Sequence, residues 1–70
     1  MKNTIFPEIV KQMKDKNETL EDMTKLLGLT NISQVSKRLS GSTEWTIGEA
    51  EILCNHYNIG MWELFKRKEN

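Results

Sequence analysis

Residues 27–46 read LGLTNISQVSKRLSGSTEWT, and the fold turns on where helices begin and end within them. Glycine accepts the left-handed conformation that closes a helix C-terminus, so Gly28 is expected to end one helix and Gly41 the next. Between them, after a short Gly-Leu-Thr turn, Thr30 is placed to cap a short polar helix. Its inward positions would be Ile32 or Val35, together with Leu39. The stretch also poses a question of charge. The chain carries ten basic and ten acidic residues, yet has no acid between Met23 and Thr43, where Lys25, Lys37 and Arg38 gather.

Upstream, the sequence TLED has the form of a capping box, with Thr19 as N-cap and Asp22 in place of the usual Glu. It opens a helix with an apolar stripe at Leu20, Met23, Leu26 and Leu27. Before it, Ile5, Ile9, Val10 and Met13 recur at helical spacing, and Pro7 stands near the start, where its missing N–H does no harm. Downstream, TIGE repeats the capping box at Thr46 and Glu49, with Ile47, Ala50, Leu53, Cys54 and Tyr57 on one face of the helix that follows. Asn58 and Gly60 break that helix, and MWELFK forms a short last one. The expectation is an all-α, compact five-helix domain spanning residues 1–70, with a helix-turn-helix at about 19–40. Its core is expected to hold Ile9, Met13, Leu20, Met23, Leu27, Val35, Leu39, Leu53, Tyr57, Leu64 and Phe65.

Size and composition fit this. Seventy residues form one domain, since a second could not bury its own core. The 37% apolar content and single proline are those of a globular protein. No apolar run is long enough to span a membrane or to act as a secretory signal, and the lone Cys54 cannot make an internal disulfide. An intracellular protein is expected.

A capped helix, LLGLT, a polar helix ending in a small residue plus glycine, TEWT, a fourth helix and a closing NIGMWELF follow one another in order. This set resembles the phage-repressor (Cro-like, lambda-repressor-like) helix-turn-helix family over residues 5–65. The resemblance implies a DNA-binding regulator of transcription in the cytoplasm of a bacterial or phage-infected bacterial cell, a phage or prophage repressor, whose third helix lies in the major groove. Two departures stand out. Thr24 occupies a position commonly held by alanine, and the interval from Gly28 to Val35 is one residue longer than usual. The register of the third helix is therefore open by one residue.

The chemistry of the third helix can be read from its residues directly. Base edges in the major groove present hydrogen-bond donors and acceptors, so a helix that reads them needs short polar or cationic side chains outside. With Val35 and Leu39 inward, Ser33, Gln34, Ser36, Lys37 and Arg38 surround the outer faces, with Asn31 at the N-terminal end. Asn31, Ser33, Gln34, Lys37 and Arg38 are the expected base contacts. Thr30, Ser42 and Thr43 flank the helix, where hydroxyls and backbone N–H groups could hold phosphates. Lys2, Lys11, Lys14 and Lys16 and the tail Lys66, Arg67 and Lys68 are further cations that sequence cannot aim.

The remaining residues suggest neither catalysis nor a cofactor. Cys54 and His56 are two apart on a helix and face different ways; Cys54 reads as a small core residue, His56 as exposed, and Trp45 as closing the core before helix four. No nucleophile–base pair or phosphate-cradling loop is present, so no enzyme, metal, cofactor or small-molecule ligand is expected. Ile52, Met61 and Trp62 fall off the core stripe and suggest an interface between two copies on an inverted-repeat operator in double-stranded DNA. The alternative is a protein-interaction module on the same scaffold, an antirepressor or other small phage inhibitor.

Overall fold

The structure, a computed structural model, describes residues 4–68, which are all-helical and measure 30 × 24 × 24 Å. The helices are α1 (Pro7–Asp15), α2 (Leu20–Leu27), α3 (Ile32–Ser40), α4 (Ile47–Tyr57) and α5 (Met61–Leu64). Their ends follow from local chemistry. In α2 the Thr19 hydroxyl accepts from the Asp22 N–H at 3.1 Å, while the Asp22 carboxylate accepts from the Thr19 N–H at 2.9 Å. Thr46 and Glu49 make the same reciprocal pair at α4. Gly28 and Gly41 close α2 and α3 with φ of +71° and +88°, and Asn58 closes α4 with φ of +57°.

The third helix starts one residue later than expected. Asn31, not Thr30, is its N-cap, accepting from the Gln34 N–H, and Gln34 reaches back to the Asn31 N–H. A capping box needs its partners three residues apart, which Asn31 and Gln34 satisfy and Thr30 does not. This settles the register. Val35 and Leu39 point inward, and Ile32 is 43% exposed.

Each helix sends its expected stripe into one core: Ile9 and Met13, Met23 and Leu27, Val35 and Leu39, Leu53 and Tyr57, and Leu64 are all buried. Leu20 and Phe65, also expected there, are only half-buried and pack on its edge. Ile47, expected inward, is 79% exposed, because it begins α4 and projects past the end of the core, where the Glu49 side chain turns in instead. Ala50, on the expected inward face of α4, is buried, and Phe6 is a buried addition. Phe6 precedes α1 and meets Trp45 and Phe65 edge-to-face, with centroids 6.1 and 5.9 Å away. Thr24 is buried, and its hydroxyl donates to the Leu20 carbonyl at 2.7 Å, which satisfies its buried polar group.

Ile5 and Lys68, outside the helices, are tied to the body. The Ile5 N–H donates to the Leu39 carbonyl at 2.9 Å, and the Lys68 N–H donates to the Ile5 carbonyl at 2.8 Å. Residues on either side of the helical bundle are thereby fixed beside the C-terminal end of α3.

The two closing glycines differ in their surroundings. A Cβ on Gly41 would lie 2.6 Å from Ile5 Cδ1, whereas one on Gly28 meets nothing within 4 Å. Both positions would strain an L-residue by about 1–2 kcal/mol. Gly41→Ala is therefore expected to destabilise the fold more than Gly28→Ala, as urea unfolding of the two variants would measure.

Candidate nucleic-acid interface

Val35 and Leu39 pin the inner side of α3 to the core, so Ser33, Ser36 and Lys37 are exposed to solvent. A second tether fixes its flank. Arg38 Nε donates to Glu49 Oε1 at 2.9 Å, and its Nη1 donates to the Gln34 carbonyl at 3.0 Å. The two side chains are only 13% and 11% exposed. The same Glu49 oxygen accepts the Thr46 N–H at 3.1 Å, so a single carboxylate caps α4 and holds α3. Burial disfavours the charged Glu49, but the hydrogen bonds from Arg38 and Thr46 and the Arg38 charge outweigh it and leave the carboxyl below its ordinary value.

The expected base contacts thus stand in unequal states. Arg38 is committed to Glu49, turned in to α4 and not left free on the outer face, because the charge of its largely buried guanidinium is met there by the Glu49 carboxylate, with the Gln34 carbonyl as a further acceptor. Asn31 caps α3 through Oδ1, which also accepts the Ser33 hydroxyl. Gln34 Oε1 accepts from the Thr30 N–H at 2.8 Å, the Thr30 hydroxyl at 3.0 Å and the Asn31 N–H at 3.2 Å. Among the described residues its Nε2 has no partner within the protein, so in this conformation the amide is a donor only. Lys37 is exposed and makes no ion pair among the described residues.

Of the expected phosphate contacts, only the Thr43 hydroxyl has no partner among the described residues, since the Thr30 hydroxyl donates to Gln34 and that of Ser42 bonds Ser40. The N–H groups of Ser42 and Thr43 both donate to the Lys37 carbonyl, at 2.9 and 3.2 Å, closing the end of α3. The Thr30 N–H serves Gln34. The Ser42 hydroxyl shares a hydrogen bond with that of Ser40 at 3.1 Å.

Position resolves the cations that sequence left unaimed. Arg67 shares a concavity with Gly41, Thr43 and Trp45, and its guanidinium carbon lies 5.8 Å from the centre of the Phe6 ring. Lys68 lines a second hollow with Lys11 and Lys14. The expected contribution of Lys2 lies outside the described residues. Lys25 is 4.0 Å from Glu21, one turn away on exposed helix surface.

Elsewhere, His56 is exposed, as expected, with its Nε2 2.5 Å from Glu18 Oε2, and Tyr57 donates to the other Glu18 oxygen at 2.6 Å. Burial and then Glu18 push the Tyr57 phenol up. Cys54 is half-buried against the core, and burial raises its thiol. Trp45 packs against Phe65 at 5.6 Å between centroids, with its Nε1 buried and unpartnered among the described residues. No group of three His, Cys, Asp or Glu that could hold a metal occurs among the described residues, and no helix among them is long and apolar enough to cross a membrane.

The three residues expected at an interface are all exposed. Trp62 is 95% exposed, Met61 46% and Ile52 39%. Met61 and Trp62 share a groove of about 640 Å³ with Phe65, Lys66 and Arg67, and Ile52 is not part of its lining.

Comparison with known proteins gives no match: no family model, no curated protein and no solved structure is significantly similar to the chain. The likeness to phage repressors accordingly rests on the order of motifs in the sequence.

Because the Glu49 carboxyl is lowered in the folded state, its contribution to stability is present above the ordinary value of 4.5 and is lost as pH falls below it. Glu49→Gln is expected to be less stable than wild type at pH 7 by about 1.5–3 kcal/mol, the worth of a hydrogen bond to a charged group. The gap should narrow on acidification to pH 3. Thermal unfolding of both proteins across that range tests this, and a gap independent of pH would refute the assignment.

Proposed function

We propose that this chain is a sequence-specific DNA-binding regulator of transcription, a Cro-type repressor of phage or prophage origin that reads the major groove with α3. The observation that carries the reading is the outer face of α3. It presents Ser33, Ser36 and an unpaired Lys37, it contains no acid, and it follows a capped helix and a tight turn. These are side chains that meet base edges, with Lys37 suited to guanine and serine to either donor or acceptor edges. Gln34, held in the cap, contributes its Nε2 as a donor to an acceptor edge. Asn31 sits at the end of the helix that enters the groove first, and Arg38 acts through position by fixing the rotation of α3. The hydroxyls of Thr30, Ser42 and Thr43 flank the helix where the sugar-phosphate backbone passes.

On this reading the active form is a two-fold dimer on an inverted repeat. One domain with so few unpaired cations on its reading helix covers a short half-site, and specific affinity at physiological salt usually comes from joining two. Equivalent helices must then lie about 34 Å apart, one turn of duplex. A domain 24–30 Å across fits that spacing when two copies touch side by side. Trp62 and Met61 supply the apolar patch for such contact, with Ile52 as a further exposed position. The same exposed tryptophan also favours the second reading, an inhibitor that docks on another protein through α5.

Selection from a pool of randomised duplexes distinguishes the two: enrichment of an inverted repeat supports the repressor, and no enrichment leaves the inhibitor. On the enriched site, Lys37→Ala is expected to weaken binding by about 1–3 kcal/mol and to relax the sequence preference, whereas Thr43→Ala should weaken all sequences evenly. Equal binding by Lys37→Ala would remove α3 as the reading element. In sedimentation, wild type should bind the full site as two copies and Trp62→Ala should pair less; a mutant that pairs as well as wild type would rule out α5 as the interface.

A further inference from the structure

Among the described residues, the cations outside ion pairs lie beside α3 more than on it. Of the three cations that the sequence gathers around α3, Arg38 is bound to Glu49 and Lys25 stands 4.0 Å from Glu21. The tail cations are placed differently. Hydrogen bonds from Lys68 to Ile5 and from Ile5 to Leu39 lash the tail to the last turn of α3. Arg67, over the Phe6 ring, opens into the concavity it shares with Gly41 and Thr43. Lys68, the next residue in the chain, lines a second hollow of about 520 Å³ with Lys11 and Lys14, one turn apart on α1. Four cations thus run from the C-terminal end of α3 to the side of α1, against two carboxylates in the same hollows, Asp15 and Glu44.

We infer that Arg67, Lys68, Lys11 and Lys14 form a track for the phosphate backbone of duplex DNA, continuous with Thr43 at the end of α3. The inference rests on the DNA-binding reading above. The major groove is about 12 Å wide, and this domain is 24 Å across in its narrower dimensions. A helix seated in the groove therefore leaves roughly half the protein's width over the flanking sugar-phosphate strands. The structure beside the end of α3 meets one of those strands, and there the charge is cationic. Arg67 is also pre-positioned by its aromatic neighbour, so little side-chain freedom is lost when it meets a phosphate. The track carries no sequence information. It supplies the nonspecific affinity that α3, with Lys37 as its one cation outside an ion pair, lacks.

The test is the salt dependence of binding to a random-sequence duplex of about 20 base pairs, where base readout plays no part and each phosphate contact contributes about 0.9 to the slope of log K against log salt. Binding of the full chain is measured between 50 and 200 mM KCl for wild type, Arg67→Gln/Lys68→Gln, Lys11→Gln/Lys14→Gln and Lys37→Gln. All four residues of the track are exposed, and substitution of Lys68 keeps its backbone N–H, so the helical circular dichroism should match wild type. A variant whose helicity falls is replaced by its two single substitutions. Each double variant is expected to lower the slope by about 1.8, twice the effect of Lys37→Gln. Wild-type binding with an unchanged slope in both double variants overturns the track and leaves the reading by α3 standing. Failure of the wild type to bind any duplex overturns both together.

Discussion

One oxygen of Glu49 binds Arg38 of α3 and the first backbone N–H of the α4 cap, and the arrangement of the outer surface depends on that junction. A buried carboxylate is costly unless its charge is met, and here a guanidinium and a peptide N–H meet it together. Val35 and Leu39 fix only one side of α3. A helix held by a single apolar stripe can still roll by the width of a side chain, and roll decides which residues lie outermost. The Arg38 tether, on the flank, removes that freedom. The electrostatics of the interior therefore select Ser33, Ser36 and Lys37 as the outward face.

The same junction changes the meaning of the charge pattern. A run of residues free of acid suggests a basic surface, but charge neutrality along the chain is local only when partners are also local. Arg38 finds its acid across the turn into α4, so half of the Lys37–Arg38 pair is neutralised inside the fold. The tail moves the other way. Lys66, Arg67 and Lys68 stand far from α3 in sequence, and two backbone hydrogen bonds through Ile5 bring the last of them to its C-terminal end. A neutral protein thus acquires a cationic side without a cationic helix.

What could be read from the sequence was what local chemistry decides. Capping boxes join residues three apart, and the left-handed glycines act on their own backbone, so four helix ends lay in plain view. The N-cap of α3 was equally legible: Asn31 and Gln34 have the required spacing, and Thr30 drew attention only as a capable residue one position early. The core stripe followed from periodicity, except where a helix overran the core, as at Ile47, or where a residue outside any helix was buried, as at Phe6. Arg38 with Glu49, His56 with Glu18 and the lashing of the tail all join distant positions. Their pairing depends on how helices cross, and no spacing rule encodes that.

The cap of α3 also limits how it could read a base. For Gln34 to pair bidentately with adenine, its Oε1 would have to release the Thr30 N–H, the Thr30 hydroxyl and the Asn31 N–H. Each such bond is worth about 0.5–1.5 kcal/mol net, so the loss is roughly 1.5–4.5 kcal/mol, which matches or exceeds the 1–3 kcal/mol of a good base contact. Keeping the cap and donating through Nε2 avoids that loss. The helix start would then stay rigid on DNA, and discrimination would fall to Lys37, the serines and the Gln34 Nε2. With so few direct contacts per half-site, sequence preference on this reading must come from pairing two half-sites at fixed spacing and from the shape of the duplex between them.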